Sequence, residues 1–148
     1  MVLITTSIEI AAPPSRVREV FNDFASWPTW TTGMIKAVSS HKSGTEVKVG
    51  DTLEVVLEGM TIEPTLLVNS GSKFEWRGSA LGLFMGDHGF TFKGSEITAG
   101  GTTFVHEENF YRLLGLMMML PLGFHGSTKK GFEKFNDDLK RRVEGEGK

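Results

Sequence analysis

Cysteine is absent from the 148 residues, which removes disulfides, thiolate nucleophiles and Cys-ligated zinc together. That absence fits a reducing compartment. Neither sign of charge dominates: 16 Lys and Arg stand against 18 Asp and Glu, for a formal net charge of -2. Nucleic acid and anionic membranes both reward a concentrated positive field, so neither is expected as a partner. Long hydrophobic runs are missing as well. The most apolar stretch, Leu113 to Phe124, is interrupted by Gly115, Pro121 and Gly123 and falls short of the roughly 20 residues that span a bilayer. No stable membrane insertion is expected. Met1 to Ile10 carries no basic leader and no apolar h-region, so no secretory signal is expected and the default address is the cytoplasm. Neither a Walker-type phosphate loop nor a Ser-centred nucleophile elbow occurs, which sets aside kinase-like and hydrolase-like chemistry.

What is present describes one globular α+β domain over residues 1–148, with Gly145 to Lys148 as a frayed tail: 39% of residues are hydrophobic and 23% charged. Val2 to Ile10 alternates with period two and predicts a strand with one buried face. Pro13, Pro14 and Ser15 end it and open a helix in which Val17, Val20, Phe21 and Phe24 recur at helical spacing. Trp27, Pro28 and Trp30 place two large rings in a turn or broken helix that caps one end of the core. Strand-like segments follow at Met34–His41, Thr52–Gly59, Thr61–Asn69, Lys73–Ser79, Phe84–Lys93 and Thr102–Phe110. Their short connections leave no room for crossover helices, so the sheet is expected to be antiparallel. The 18 glycines, many inside strand patterns, favour a strongly curved sheet. From Gly126 onward Phe132, Phe135, Leu139 and Val143 mark an amphipathic helix that covers one face of it. The charges between them, Lys129, Lys130, Lys134, Lys140, Arg141 and Arg142 with Glu133, Asp137, Asp138 and Glu144, read as the solvated face of that helix.

Two strands carry the chemistry. Phe84, His88, Phe90 and Phe92 share parity, as do Phe104, His106, Glu108 and Phe110, so both histidines should point inward with the aromatic rings. A turn centred near Ile97 puts His88 opposite His106, or one diagonal step from Glu108. A buried His beside a carboxylate can carry protons, whereas the plainer reading has the three groups satisfy one another and brace the sheet. They formally match a facial metal triad too, but no supporting pattern of outer partners accompanies them, and neither a metal nor an organic cofactor is expected. Trp76, Phe84, Phe90, Phe104, Phe110, Met117, Phe132 and Phe135 are the candidate ligand-contacting residues, most of the chain's aromatic residues being ordinary core. Leu113 to Phe124, with Met117, Met118 and Met119 in a row, reads as a gate, a membrane-touching lip, a core-packed loop or a homodimer contact.

The run Ile8, Ile10, Ala12, Pro13, Ser15, Val17, Phe21, Asp23, Trp27, Pro28, Trp30 resembles the opening of the START-like (SRPBCC) superfamily, which includes polyketide cyclase/dehydrase-like and lipid-transport proteins. Trp76, Gly78, Gly86, His88, Phe90, Phe92, Gly101, Thr102, His106, Glu108, Phe110 resembles the last three strands of one subgroup, and Phe132, Asn136, Leu139, Lys140 its helix. The resemblance implies a helix-grip fold: a curved antiparallel sheet of six or seven strands around a long C-terminal helix, with short N-terminal helices after the first strand. It implies binding of a small hydrophobic molecule, such as a lipid, polyketide or aromatic metabolite, between sheet and helix. Two other roles occur in the superfamily: a cyclase, dehydratase or isomerase using His88 or His106 with Glu108, and an interaction protein like the Hsp90-activating co-chaperones.

Overall fold

The computed structural model describes residues 1–40, 42–80 and 82–145. Strand β1 (Val2–Ile10) buries Ile4, Thr6 and Ile10 on one face. Pro13 and Pro14 then open helix α1 (Pro14–Asn22), where a missing N–H is tolerated because the first helical donors have no partner in the helix. A 3-10 turn (Phe24–Ser26) and the single helical turn α2 (Trp27–Trp30) carry Phe24, Trp27 and Trp30 into the core. Strands β2 (Ile35–Ser39), β3 (Glu54–Leu57) and β4 (Met60–Ile62) form one antiparallel sheet in that order. Strands β5 (Thr65–Asn69), β6 (Lys73–Ala80), β7 (Phe84–Gly94) and β8 (Thr102–Tyr111) join β1 in a second antiparallel sheet, ordered β1-β8-β7-β6-β5. Helix α3 (Arg112–Met119) leads into the long helix α4 (Phe124–Gly145), which buries Phe132, Phe135, Leu139 and Val143 against the larger sheet. This is the helix-grip architecture.

The core is aromatic at one end of the sheet. Phe21 lies at its centre, with ring centroids 5.1 Å from Trp27, 5.3 Å from Phe74, 4.9 Å from Phe90 and 5.0 Å from Phe92. Mostly tilted or edge-to-face pairs of this kind add about 0.5–1.5 kcal/mol each beyond the area they bury. The Arg18 guanidinium closes the cluster 5.0 Å from the Phe92 centroid, and burial pushes its pKa down to about 10.

Several sequence expectations need correction. Thr61–Asn69 is two strands in two sheets, because Pro64 has no N–H to give a ladder and its carbonyl instead accepts from Leu53 N at 2.9 Å. There are accordingly eight strands among the described residues, rather than six or seven in one sheet, and an isolated Thr52–Thr65 bridge joins the two sheets. Leu113–Phe124 is no core-packed loop: its first part is helix α3, and Pro121 and Gly123 act only after that helix has ended. The final helix begins at Phe124 rather than Gly126. Asp138 lies off the solvated face of α4; it is 1% exposed, and accepts from Thr32 N at 2.7 Å and from Thr32 Oγ1, pinning the helix to the segment after α2. His41, the last residue of the second strand-like segment, and the tail residues 146–148 lie outside the described residues. No helix among the described residues is long and apolar enough to cross a membrane.

Candidate functional site

The pairing of β6, β7, β8 and β1 arranges the inward side chains in rungs. Trp76, His88, Glu108 and Ile4 form one rung; Phe74, Phe90, His106 and Thr6 form the next toward the aromatic end. Gly78, Gly86, Phe110 and Val2 form the next in the opposite direction. His88 therefore stands opposite Glu108 and diagonal to His106, the reverse of the pairing expected from a turn at Ile97. The turn is centred one residue later, where Gly101 N donates to Thr98 O and the Ser95 hydroxyl accepts from Thr98 N. Moving a hairpin centre by one residue moves the pairing by two, so the inward face is kept while the partners change.

The polar groups form one connected network. His88 Nδ1 lies 2.8 Å from Glu108 Oε1, and His88 Nε2 lies 2.6 Å from His106 Nε2. His106 Nδ1 is 3.0 Å from Asn136 Oδ1 on α4, Asn136 Nδ2 donates to Thr6 Oγ1 at 2.8 Å, and Thr6 Oγ1 donates to the His106 carbonyl at 2.8 Å. The two imidazoles are held in an aromatic sleeve: Phe132 stacks on His106 at 4.3 Å, and Trp76, Phe90 and Phe132 surround His88 at 4.9–5.1 Å. Burial first, and the neighbouring His88 second, hold the His106 pKa well below its usual range, so this ring is neutral at neutral pH.

A cavity of about 470 Å³ opens beside this network, a volume within the range of small-molecule sites. Its floor is Trp76, His88, Glu108 and the adjacent pair Gly78 and Gly86. Met34, Ile35, Leu57, Met60 and Ile62 from the smaller sheet and its approach form one wall, and Leu114 and Met118 on α3 form another. A Cβ at position 86 would strike the Glu108 carboxylate that lies over its backbone, so glycine there leaves room for that carboxylate and a larger residue would displace it. At Gly78 a Cβ would meet only Ile62 Cδ1, at 3.7 Å, so the missing side chain there is open space in the cavity. A second hollow, of about 500 Å³, lies beside Arg18, Asn22 and Asn69; it is more open and more polar, and the Arg18 nitrogens already donate to Asn22, Asn69 and Ser70. The apolar cavity is the better ligand site.

The candidates from sequence divide accordingly. Trp76, Phe84, His88, Glu108 and Phe110 line the cavity. His106 is fully buried behind His88, and Phe132 covers the histidine pair from the helix side. Phe90, Phe104 and Phe135 pack in the closed aromatic core. Met117 does not reach the cavity; its neighbour Met118 does. Sequence reasoning missed the wall from the smaller sheet, for which a single strand pattern carries no signal. It placed Leu114 and Met118 in the stretch offered as a gate without singling them out, although their four-residue spacing would have shown one face of a helix. Gly78 and Gly86 were within reach, since each lies two residues from an inward Trp76 or His88. Thr6 was missed outright, and Asn136 entered only through a family resemblance. Among the described residues no group of three His, Asp or Glu side chains is placed to hold a metal ion. The two imidazoles spend their facing nitrogens on each other.

Known structures share this fold at low identity. A START superfamily protein from Mycobacterium smegmatis superposes with TM-score 0.68 at 14% identity, over 96% of this chain and 97% of that one. DynU16, from the dynemicin biosynthetic locus, gives 0.71 at 19% identity over 96% of this chain, which spans about half (47%) of that protein. The Aha1 dimer from Colwellia psychrerythraea gives 0.69 at 16% identity, over 97% and 96% of the two chains. No curated protein matches the chain. The family profile described as polyketide cyclase / dehydrase and lipid transport matches residues 1–144, and the chain belongs to that family.

Proposed function

We propose that this chain binds a small, largely apolar molecule in the cavity between sheet and α4, with a polar end of that molecule directed at Glu108. The observation that carries this reading is a 470 Å³ apolar cavity whose one ionisable patch is the Glu108–His88 pair on its floor. Apolar walls supply most of the binding free energy, at about 25 cal/mol per Å² removed from water, and the polar pair selects orientation. Family membership supports a hydrophobic ligand. The flexible Met34, Met60 and Met118 side chains let the walls adapt to ligand shape.

A second reading is favoured by a specific observation. Glu108 is 16% exposed and His88 8% by side chain, both at the cavity floor, so a ligand oxygen that reaches Glu108 meets a proton-carrying pair. An isomerase, dehydratase or cyclase acting on a bound ligand would use them. The co-chaperone reading needs an outer surface and no cavity, and no feature of the cavity favours it.

The test is titration with the neutral fluorophore N-phenylnaphthylamine. Wild type should bind it with a saturable rise in fluorescence, and Gly78→Leu, which fills the cavity, should weaken binding at least tenfold while staying folded. Equal binding by both proteins would contradict the assignment of this cavity. For the enzymatic reading, Glu108→Gln should retain binding of a turned-over ligand and lose turnover; unchanged turnover would remove that reading.

A further inference from the structure

We propose that Thr6 and Asn136 are positioning residues that fix the direction of the histidine network, so that its one movable proton lies between His88 Nδ1 and Glu108, on the cavity floor. One group in the network has no choice of role. The His106 carbonyl can only accept, so the hydroxyl hydrogen of Thr6, 2.8 Å away, is committed to it. Toward Asn136, Thr6 Oγ1 is left as an acceptor. The amide atom that faces it at 2.8 Å must then be the nitrogen, and the amide oxygen must face His106 Nδ1. Asn136 Oδ1 can only accept, so His106 Nδ1 carries a hydrogen.

The next step follows from burial. His106 is completely enclosed and has no carboxylate partner among the described residues, so its ring is neutral, and the hydrogen on Nδ1 leaves Nε2 bare. A bare His106 Nε2 at 2.6 Å requires His88 Nε2 to be the donor. The hydrogen on His88 Nε2 is thereby fixed. What remains is the 2.8 Å contact between His88 Nδ1 and Glu108 Oε1. Without a hydrogen, two lone pairs would face each other there, so the pair holds one, either as imidazolium and carboxylate or as imidazole and carboxylic acid.

Four fixed hydrogens thus point one way, and a single exchangeable one lies at the end that lines the cavity. Given the reading of the cavity as a ligand site, on which this consequence rests, the ligand class is an apolar molecule with a carbonyl or hydroxyl oxygen able to reach Glu108. Donation from Glu108 breaks one carboxyl O–H bond, forms one O–H bond on the ligand and leaves a carboxylate; return of the proton reverses it. His106 contributes no proton, because its only hydrogen is held by Asn136.

Ring-nitrogen NMR of the ligand-free protein, with its histidines isotopically labelled, tests the direction. In wild type at neutral pH, His106 should show a protonated Nδ1 and a bare Nε2, and His88 a protonated Nε2. A bare Nδ1 on His106 overturns the proposal. Thr6→Val, which keeps the side-chain shape, and Asn136→Leu should each let His106 populate its other tautomer, whereas Thr6→Ser, which keeps the hydroxyl, should preserve the wild-type pattern. An unchanged His106 pattern in Thr6→Val also overturns it. A bracing role alone would move stability in these variants without moving the tautomer. Because no ligand is present, failure of the cavity to bind would leave this result intact, and a reversed tautomer would leave binding intact.

Discussion

The two ends of the five-stranded sheet are built from the same strands, with the same parity and the same helix across them, yet one is solid and the other hollow. At the solid end Phe74, Phe90, Phe92 and Phe104 fill the inward positions and Phe21 on α1 locks them together. At the hollow end the corresponding positions on β6 and β7 are Gly78 and Gly86, and two side chains are simply missing. Between the ends lie the rung with His88 and Glu108 and, next to it, the His106 and Thr6 positions that complete the polar network. Side-chain volume along a fixed backbone, and no change of topology, turns core into cavity. The polar network belongs at that boundary: deeper, Glu108 would be buried without water, and further out the imidazoles would lose their aromatic sleeve.

The comparison can be broken first at the solid end. Phe90→Ala should cost about 3–5 kcal/mol in chemical denaturation, through lost transfer energy and a cavity among rings that cannot collapse. A cost below about 1 kcal/mol would mean that the aromatic end is not close-packed. The boundary responds to acid. His106 is held below its usual 6.5, so the unfolded chain binds a proton that the folded chain refuses, and stability is lost as pH falls below about 6.5. The slope should approach 1.4 kcal/mol per pH unit for one proton, by denaturation at a series of pH values, and His106→Gln should flatten it.

The hollow end should respond in the opposite sense. Gly78→Leu places apolar volume in empty space and relieves the strand of a glycine, so stability should be unchanged or up to about 1 kcal/mol higher while ligand capacity falls. Gly86→Ala pushes the Glu108 carboxylate off the strand, which should change stability by less than about 1 kcal/mol and uncouple His88 from Glu108, seen as a shift of the His88 ring-nitrogen signals. The smallest effect belongs to the outer side of α3. Met119 is 70% exposed, and Met119→Ser should stay within about 0.5 kcal/mol of wild type and leave probe binding unchanged.

Much of this was legible in the sequence because side-chain parity survives errors of register. His88, His106 and Glu108 share inward faces wherever the hairpin turns, so their meeting could be read from alternation, whereas their pairing depended on the hydrogen bonds of Ser95 and Thr98 in the turn. Helix α4 announced itself through Phe132, Phe135, Leu139 and Val143. Asn136 and Asp138 did not, because a polar residue in an amphipathic pattern looks solvated unless the partner across the core, Thr6 or Thr32, is known. The cavity wall of Met34, Leu57 and Ile62 depends on how the two sheets meet at Pro64, a tertiary event with no periodicity of its own.

The most direct test of the account is the methyl NMR spectrum of the seven methionines during titration with an apolar ligand such as N-phenylnaphthylamine. Met34 and Met118 line the cavity, whereas Met1 and Met119 face outward. The account predicts that the Met34 and Met118 methyls shift together and saturate while those of Met1 and Met119 stay still. Movement of Met119 with Met34 and Met118 unmoved would place the ligand on the outer surface and contradict it.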